Sequence, residues 1–320
     1  MPQIRPRTIL CVHSILCEAR TEVHVVGMGS EPGMKNFGRL VKLYPRRYLA
    51  SFRAYQAAIE NTEKNCQLFY GSQIPDSVLR ESGSGSDVRV LGIGSGSGEV
   101  DSIILKKLLR QYDSVYSRVV EPSEDMIERY KTRVREDTSL GAVRFDWRHQ
   151  TAEEYLLTEE HTKFNLIHAV HVLYHVSDLH ATLRNMWEQL ADGGHMLIEI
   201  KSDNNLYRKM WRDFGEGDRL ESVFRTSSDV KQWFDDMGVS YVTSEDETNI
   251  DVTECFKENS KTGLQLLEFF ALTPYIANEQ ELRSTVLEYI RCNSSVIGDK
   301  VLLKSVSEVI VAYKNATESR

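Results

Sequence analysis

The chain has 320 residues, 41% of them hydrophobic, enough to bury a sizeable core in one large domain or in one domain with an appendage. The formal net charge is −8, with residues 1–47 at +5 and the remainder at −13, a balance that argues against nucleic acid as a partner. Cys11, Cys17, Cys66, Cys255 and Cys292 are odd in number and far apart, so they make neither a metal-ligand set nor a disulfide framework; a reducing, cytoplasmic setting is expected. No apolar run approaches the ~18 residues that would suggest a membrane span.

Thr8 to Leu16 is mildly apolar after Arg5 and Arg7, but His13 and Ser14 make it too polar for a signal-peptide core. Gly27 to Gly38 is rich in glycine. Residues 1–45 are therefore expected to be a weakly ordered extension, and 46–320 the domain proper. From there Tyr48, Phe52, Tyr55 and Ile59 recur at helical spacing, giving an amphipathic helix that either packs or serves as a lid over a ligand.

Val88 to Asp101, V-R-V-L-G-I-G-S-G-S-G-E-V-D, is the stretch on which the fold turns. Val88, Val90, Leu91 and Ile93 read as a buried strand, and Val100, Ile103, Ile104, Leu108 and Leu109 as the apolar stripe of a helix extending to Tyr112. Gly94, Gly96 and Gly98 thus occupy a strand-to-helix turn, where the backbone can bend sharply and a ligand can approach it closely. The spacing is neither that of a dinucleotide loop nor that of a P-loop, and the helix opens with Glu99, which would repel a phosphate. The second strand, Val115 to Val120, ends in Glu121, placed where doubly wound folds bond ribose hydroxyls. A glycine turn with two acids points to an adenosine carrying an amino acid in place of phosphate, S-adenosylmethionine; a plain turn and a solvated glutamate are the alternative.

The alternation continues with a helix capped at Ser123 and a third strand from Val143 to Phe145. Trp147 to Tyr155 follows, whose groups either flank an adenine or form a surface turn. Asn165 to Val172 is the fourth apolar run. In a doubly wound sheet its carboxyl end faces the ligand cleft, which directs attention to His171 and His175; a satisfied core or rim histidine is the alternative for each, and no third group completes a metal site. A helix from Asp178 to Leu190 is expected to stop at Ala191-Asp192-Gly193-Gly194, ahead of a fifth strand from His195 to Ile200. Tyr207 and Trp211 then stand one helical turn apart, as core or as pocket lining. A helix from Ser227 to Met237, a strand from Val239 to Thr243, helices at Leu264–Leu272 and Glu281–Cys292, and a long final strand from Val301 to Tyr313 complete the chain.

From about Tyr48 onward the sequence resembles the histamine N-methyltransferases, single-domain Class I methyltransferases. The matching pieces are N-T-E-K-N-C at 61–66, L-G-I-G-S-G-S-G-E-V-D at 91–101, V-V-E-P-S at 119–123, F-D-W-R-H-Q-T at 145–151, V-H-V-L-Y-H-V-S-D at 170–178, I-D-V-T-E-C-F at 250–256 and V-L-L-K-S at 301–305. The resemblance implies an α/β doubly wound, mostly parallel seven-stranded sheet with an antiparallel final strand and helical substrate-binding insertions. It implies that Gly94, Glu121, Thr151 and Val170 line the cofactor site, with Met126 and Ala152 departing from the family's polar contacts. It also implies that Glu63 holds the substrate amine inside an aromatic wall of Tyr48, Phe52, Tyr174, Tyr207, Trp211 and Phe269. Two substrate contacts differ: His171 replaces a glutamine and Ser305 an asparagine.

The function expected is S-adenosylmethionine-dependent N-methylation of a small cationic amine or imidazole compound by a monomer, with no metal, nucleic acid or membrane involved. A neutral imidazole nitrogen needs no base, whereas an aliphatic ammonium must first lose a proton, which His171 or His175 could accept. The alternatives are a protein on the same fold that binds cofactor without transfer, and a methyltransferase for another small metabolite.

Overall fold

The computed structural model describes residues 44–60, 72, 88–158, 162–205, 210 and 225–315. Five strands pair in parallel: β1 (Val88–Ile93), β2 (Val115–Val120), β3 (Val143–Arg148), β4 (Phe164–Val170) and β5 (Leu190–Lys201), in the spatial order β3-β2-β1-β4-β5. Chain direction across the sheet reverses between β1 and β4, so the carboxyl ends of those two neighbours flank the crevice where doubly wound folds bind ligands.

The crossover helices are α2 (Glu99–Leu108), α3 (Glu124–Glu136), α4 (Ala152–Leu156) and α5 (Leu179–Gln189). Their starts are built from side-chain caps: Ser123 accepts from the Met126 N–H, Thr151 from Glu154 and Asp178 from Ala181. Beyond β5 come α6 (Ser227–Asp236), β6 (Tyr241–Asp251), α7 (Lys261–Ala271), α8 (Gln280–Cys292), β7 (Ser294–Ile297) and β8 (Lys300–Tyr313). β8 lies antiparallel between β5 and β6. Both sheet faces are covered. On one, Phe164, Met186, Trp233 and Phe234 pack with Leu91 and Ile198; on the other, Ile104, Leu105 and Leu108 pack with Val90, Leu166 and Leu197.

Among the described residues the sheet has eight strands, one more than the seven expected. The chain turns through Gly298 and Asp299, Gly298 in the left-handed region at φ 64°, and lays β7 back on β8 as a hairpin with Ile297 opposite Lys300. A second difference concerns Leu190–Gly194, expected to be a helix stop. These residues begin β5, because the Gly193 N–H donates to the Lys314 carbonyl at 2.8 Å and Lys314 returns the bond to Gly194 at 3.0 Å. β6 is also longer than its apolar portion. The polar run from Ser244 to Asn249 is held as strand by continuous pairing with β8, Tyr241 opposite Ala312 through Asp251 opposite Leu302.

The helix preceding the sheet, α1 (Pro45–Ala58), packs on α7 in a third apolar cluster with Tyr48, Phe52, Tyr55, Ile250, Leu267, Phe270 and Leu303. A buried carboxylate fastens it. Glu268 of α7 receives the Arg47 guanidinium, with Nε at 2.9 Å, the Ser51 hydroxyl at 3.2 Å and the Tyr275 N–H at 3.0 Å.

Candidate active site

Three left-handed glycines shape the turn between β1 and α2: Gly94 at φ 65°, Gly96 at 57° and Gly98 at 77°. Gly98 also lies face to face with Tyr130 of α3, whose ring would stand 2.2 Å from any added Cβ. The Gly94 N–H is anchored to the Val120 carbonyl at 2.8 Å, tying the turn to the end of β2. One residue on, Glu121 is wholly buried, and its carboxylate accepts the Gly96 N–H and the Ser123 N–H, each at 2.9 Å. Burial pushes its pKa up to about 7, against the pull of those two donors, and the nearby Asp101 charge adds to the rise.

Between this turn and β4 lies an open cleft lined by Gly94, Ser95, Glu99, Val100, Asp101, His168 and Val170. Glu99, the acid singled out from the sequence, is matched by a cation: Arg133 of α3 reaches it at 2.6 Å, and the Ser97 hydroxyl donates to it at 2.8 Å. Asp101, in the first turn of α2, is the more deeply buried acid, with His168 Nε2 3.7 Å from its carboxylate. Burial raises the Asp101 pKa, with His168, Ser95 and Tyr130 opposing. Gly92 leaves room for this group, since a Cβ there would sit 2.3 Å from the Ser95 hydroxyl and 2.9 Å from both Asp101 and His168.

Across β4 is a second polar cluster. His171, the first residue beyond that strand, has φ 52° and donates its backbone N–H to the Glu199 carbonyl at 2.8 Å, while its Nε2 lies 2.9 Å from the Glu199 carboxylate. Glu199 is completely buried on β5. Asp246 of β6 faces the same region; burial first, then the Glu199 charge, pushes its pKa up to about 6, with His171 and Lys201 opposing. The Ser305 hydroxyl of β8 accepts from Lys201 Nζ and Asn205 Nδ2, both at 3.2 Å.

The structure thus brings together Gly94, Gly96, Gly98 and Glu121 at the turn, and places Val170 in the cleft beside them. Thr151 stands at the carboxyl end of β3 and spends its hydroxyl capping α4, accepting the Glu154 N–H at 3.1 Å. Tyr48 and Phe52 of α1 gather with Phe269 of α7 at centroid distances of 6.1 and 5.9 Å, and Tyr55 stacks on Phe269 at 4.3 Å. Tyr174 packs edge-on against His175 at 4.5 Å, ahead of α5. Crowding protein pushes the His175 imidazole down to about 4, but the residue is solvent-exposed, and water contact offsets much of that penalty. Glu63, Tyr207 and Trp211 lie outside the described residues. Tyr155 is core: its hydroxyl bonds Gln189 at 2.9 Å, which removes it from an adenine-flanking role.

Asp101, Glu199, Lys201, Asn205 and Asp246 escaped the sequence reading. Glu199 carried a usable signal, a single acid inside the otherwise apolar Met196–Ile200. Among the described residues no three His, Cys, Asp or Glu side chains converge as a metal site, and no helix is long and apolar enough to cross a membrane.

A methyltransferase-domain family model matches residues 44–244. Histamine N-methyltransferase B of Xenopus laevis is 32% identical over 279 residues, covering 83% of this chain and 94% of that protein. The Xenopus tropicalis histamine N-methyltransferase is 33% identical, covering 84% and 96%, and the mouse enzyme is 32% identical, covering 71% and 80%. The chain belongs to the histamine N-methyltransferase family. As a Class I methyltransferase it takes its methyl group from S-adenosylmethionine. The cleft suits that donor, a sulfonium without phosphates, because among the described residues its lining offers two carboxylates and an imidazole and no Lys or Arg.

Proposed function

We propose that the chain N-methylates a small cationic amine of the histamine type. The observation that carries this reading is the cleft between the glycine turn and β4, whose described lining offers Glu99, Asp101 and His168 and no Lys or Arg, together with the aromatic cluster that α1 and α7 build elsewhere in the fold. Gly94, Gly96, Gly98, Glu121, Thr151 and Val170 would hold the donor, Glu121 through its charge and the glycines through exposed backbone. When bound, S-adenosylmethionine supplies an electrophilic sulfonium methyl group.

The chain's own residues then have three tasks. Glu63, Tyr48, Phe52, Tyr174, Tyr207, Trp211, Phe269 and Ser305 would orient the acceptor and exclude water, the rings favouring positive charge. His171 or His175 would accept a proton wherever the acceptor nitrogen arrives charged. Asp101 lines the donor side of the cleft, and Glu121 lies behind the glycine turn. The core's net charge of −13 supports a cationic small molecule as substrate, in a monomer of the cytoplasm with neither nucleic acid nor membrane as partner.

Calorimetry with S-adenosylmethionine followed by a methyl-transfer screen over amines, imidazoles and amino acids tests this. Binding in the micromolar range with transfer to a cationic amine is expected, and Glu63→Gln should raise KM about tenfold, the scale of one charge-assisted hydrogen bond. Unchanged kinetics in that variant would remove Glu63 from the site.

A further inference from the structure

We propose that Asp101 is a donor-binding residue that accepts an N–H bond from the α-ammonium of bound S-adenosylmethionine, and that the site therefore selects ligands carrying that amine. The inference rests on the methyltransferase reading above and assigns the amino-acid end of the donor to one side chain.

Two carboxylates face the cleft, and only one is satisfied. Glu99 meets the Arg133 guanidinium at 2.6 Å and the Ser97 hydroxyl at 2.8 Å. Asp101 is 3% exposed, and His168 Nε2 stands 3.7 Å from its Oδ1, beyond hydrogen-bond reach. Ser95 and Tyr130 lie near enough to pull the Asp101 pKa down. Even so, Ser95 Oγ, Asp101 Oδ2 and Tyr130 Oη are buried and, among the described residues, have no partner in hydrogen-bonding geometry. A buried polar atom left unpaired costs about 1–3 kcal/mol, so three around one carboxylate mark a group that the folded chain alone does not supply.

Gly92 makes the space for it. A Cβ there would stand 2.3 Å from Ser95 Oγ and 2.9 Å from both Asp101 Oδ2 and the His168 ring, so these three side chains converge on one point over β1, beside β4. The missing group must donate hydrogen bonds, since a carboxylate can only accept. Burial raises the Asp101 pKa, the mark of a carboxylate short of counter-charge, and a cation beside it supplies that charge.

The donor molecule has one group of this kind to place here. With the ribose at the end of β2, where Glu121 stands, the glycine turn and β4 are left for the amino-acid tail. In that tail the sulfonium has no hydrogen to give, and the α-carboxylate would be repelled. The α-ammonium is cationic and carries three N–H donors, so it can satisfy Asp101 and Ser95 together. An ordered water is the competing occupant. Water would satisfy the same atoms whether or not the ligand has an amine, and that difference can be read in solution.

Calorimetry with three ligands tests the assignment: S-adenosylmethionine, S-adenosylhomocysteine, and S-adenosyl-4-thiobutyrate, which is S-adenosylhomocysteine without its amine. Wild-type protein should prefer S-adenosylhomocysteine to the deaminated ligand about tenfold to a hundredfold, the scale of a hydrogen bond between charged groups. Asp101→Asn keeps the size of the side chain. It should weaken both amine-bearing ligands by that factor and leave the deaminated one within about twofold, because the lost interaction involves the amine alone. Ser95→Ala should narrow the same preference about threefold, the worth of a neutral hydrogen bond, and gives the reading where Asp101→Asn does not fold. Equal wild-type affinity for the two thioethers overturns the inference, as does a folded Asp101→Asn variant that keeps the full preference or weakens all three ligands alike. Where only Ser95→Ala folds, an undiminished preference in it does the same. Each of these results leaves the methyltransferase reading standing, whereas wild-type protein that binds none of the three ligands takes down both.

Discussion

Glu121→Gln removes one ionisable group from the junction of β2 with the glycine turn while keeping its size. In the native protein both oxygens are engaged, one by Gly96 N–H and the other by Ser123 N–H at 2.9 Å, and the residue is 0% exposed. Glutamine has one accepting oxygen, so its NH2 group must face the other donor; leaving one buried N–H unpaired costs about 1–3 kcal/mol. Against that stands relief of the buried charge. An acid whose pKa is raised from 4.5 to about 7 holds its proton more tightly folded than unfolded. Its contribution is therefore fully present below pH 4.5, and stability falls as pH rises through about 7. The rise corresponds to about 3 kcal/mol. At pH 8 the two effects of the substitution offset each other, and the variant should unfold within about 1 kcal/mol of wild type.

Urea unfolding of both proteins at several pH values between 4 and 8 separates these terms, because every other titrating group is common to the two. The wild-type-minus-variant difference should shrink by about 3 kcal/mol across that range. Calorimetry on the same proteins should find donor affinity reduced about tenfold to a hundredfold, the worth of a hydrogen bond to a charged acceptor. A difference curve flat in pH would refute the claim that Glu121 is held in the fold at a strained proton affinity. Unchanged donor binding would refute its place in the site.

Gly98→Ala should cost about 3 kcal/mol or more in urea unfolding, since a Cβ at φ 77° would stand 2.2 Å from the Tyr130 ring, and a variant with native stability would show that α3 can withdraw freely. Glu268→Gln breaks the buried anchor that receives Arg47, Ser51 and the Tyr275 N–H. Hydrogen exchange should then accelerate across Pro45–Ala58, with stability lower by about 1–2 kcal/mol and acceptor KM raised, while protection in β1 and β4 stays at wild-type level.

The doubly wound half of the fold was legible because β1 and β4 are largely buried apolar runs and β2 opens and closes on buried valines, with β1 ending at Ile93 ahead of the glycines. The second half was harder because pairing overrides local composition there. Ser244 to Asn249 reads as loop until β8 is laid beside it, and Leu190–Gly194 reads as a helix end until Lys314 closes the ladder. The glycine turn and Glu121 were visible as a local pattern, whereas Asp101 looked like any first-turn acid of α2. Its burial depends on Gly92 and His168 being side by side on β1 and β4, a register that no single stretch of sequence displays.

That register also explains why the molecule carries two buried acid–histidine pairs. His168 and His171 are three residues apart at the end of β4, separated by Ala169 and Val170. His168 points to Asp101 of α2 on the donor side, and His171, after the chain leaves the strand with φ 52°, to Glu199 of β5. A continued strand would alternate side chains face to face, so the left-handed residue is what redirects the second ring. One strand end thereby carries two polar pairs, His168 with Asp101 and His171 with Glu199. A substitution such as His171→Gly, which relieves the backbone and deletes the ring, should leave donor affinity within about twofold, because distant sites without shared partners behave independently. The same substitution should slow transfer to an acceptor nitrogen that arrives charged. Loss of donor binding in that variant would show that the two pairs form one coupled network, and that the division of labour across β4 is wrong.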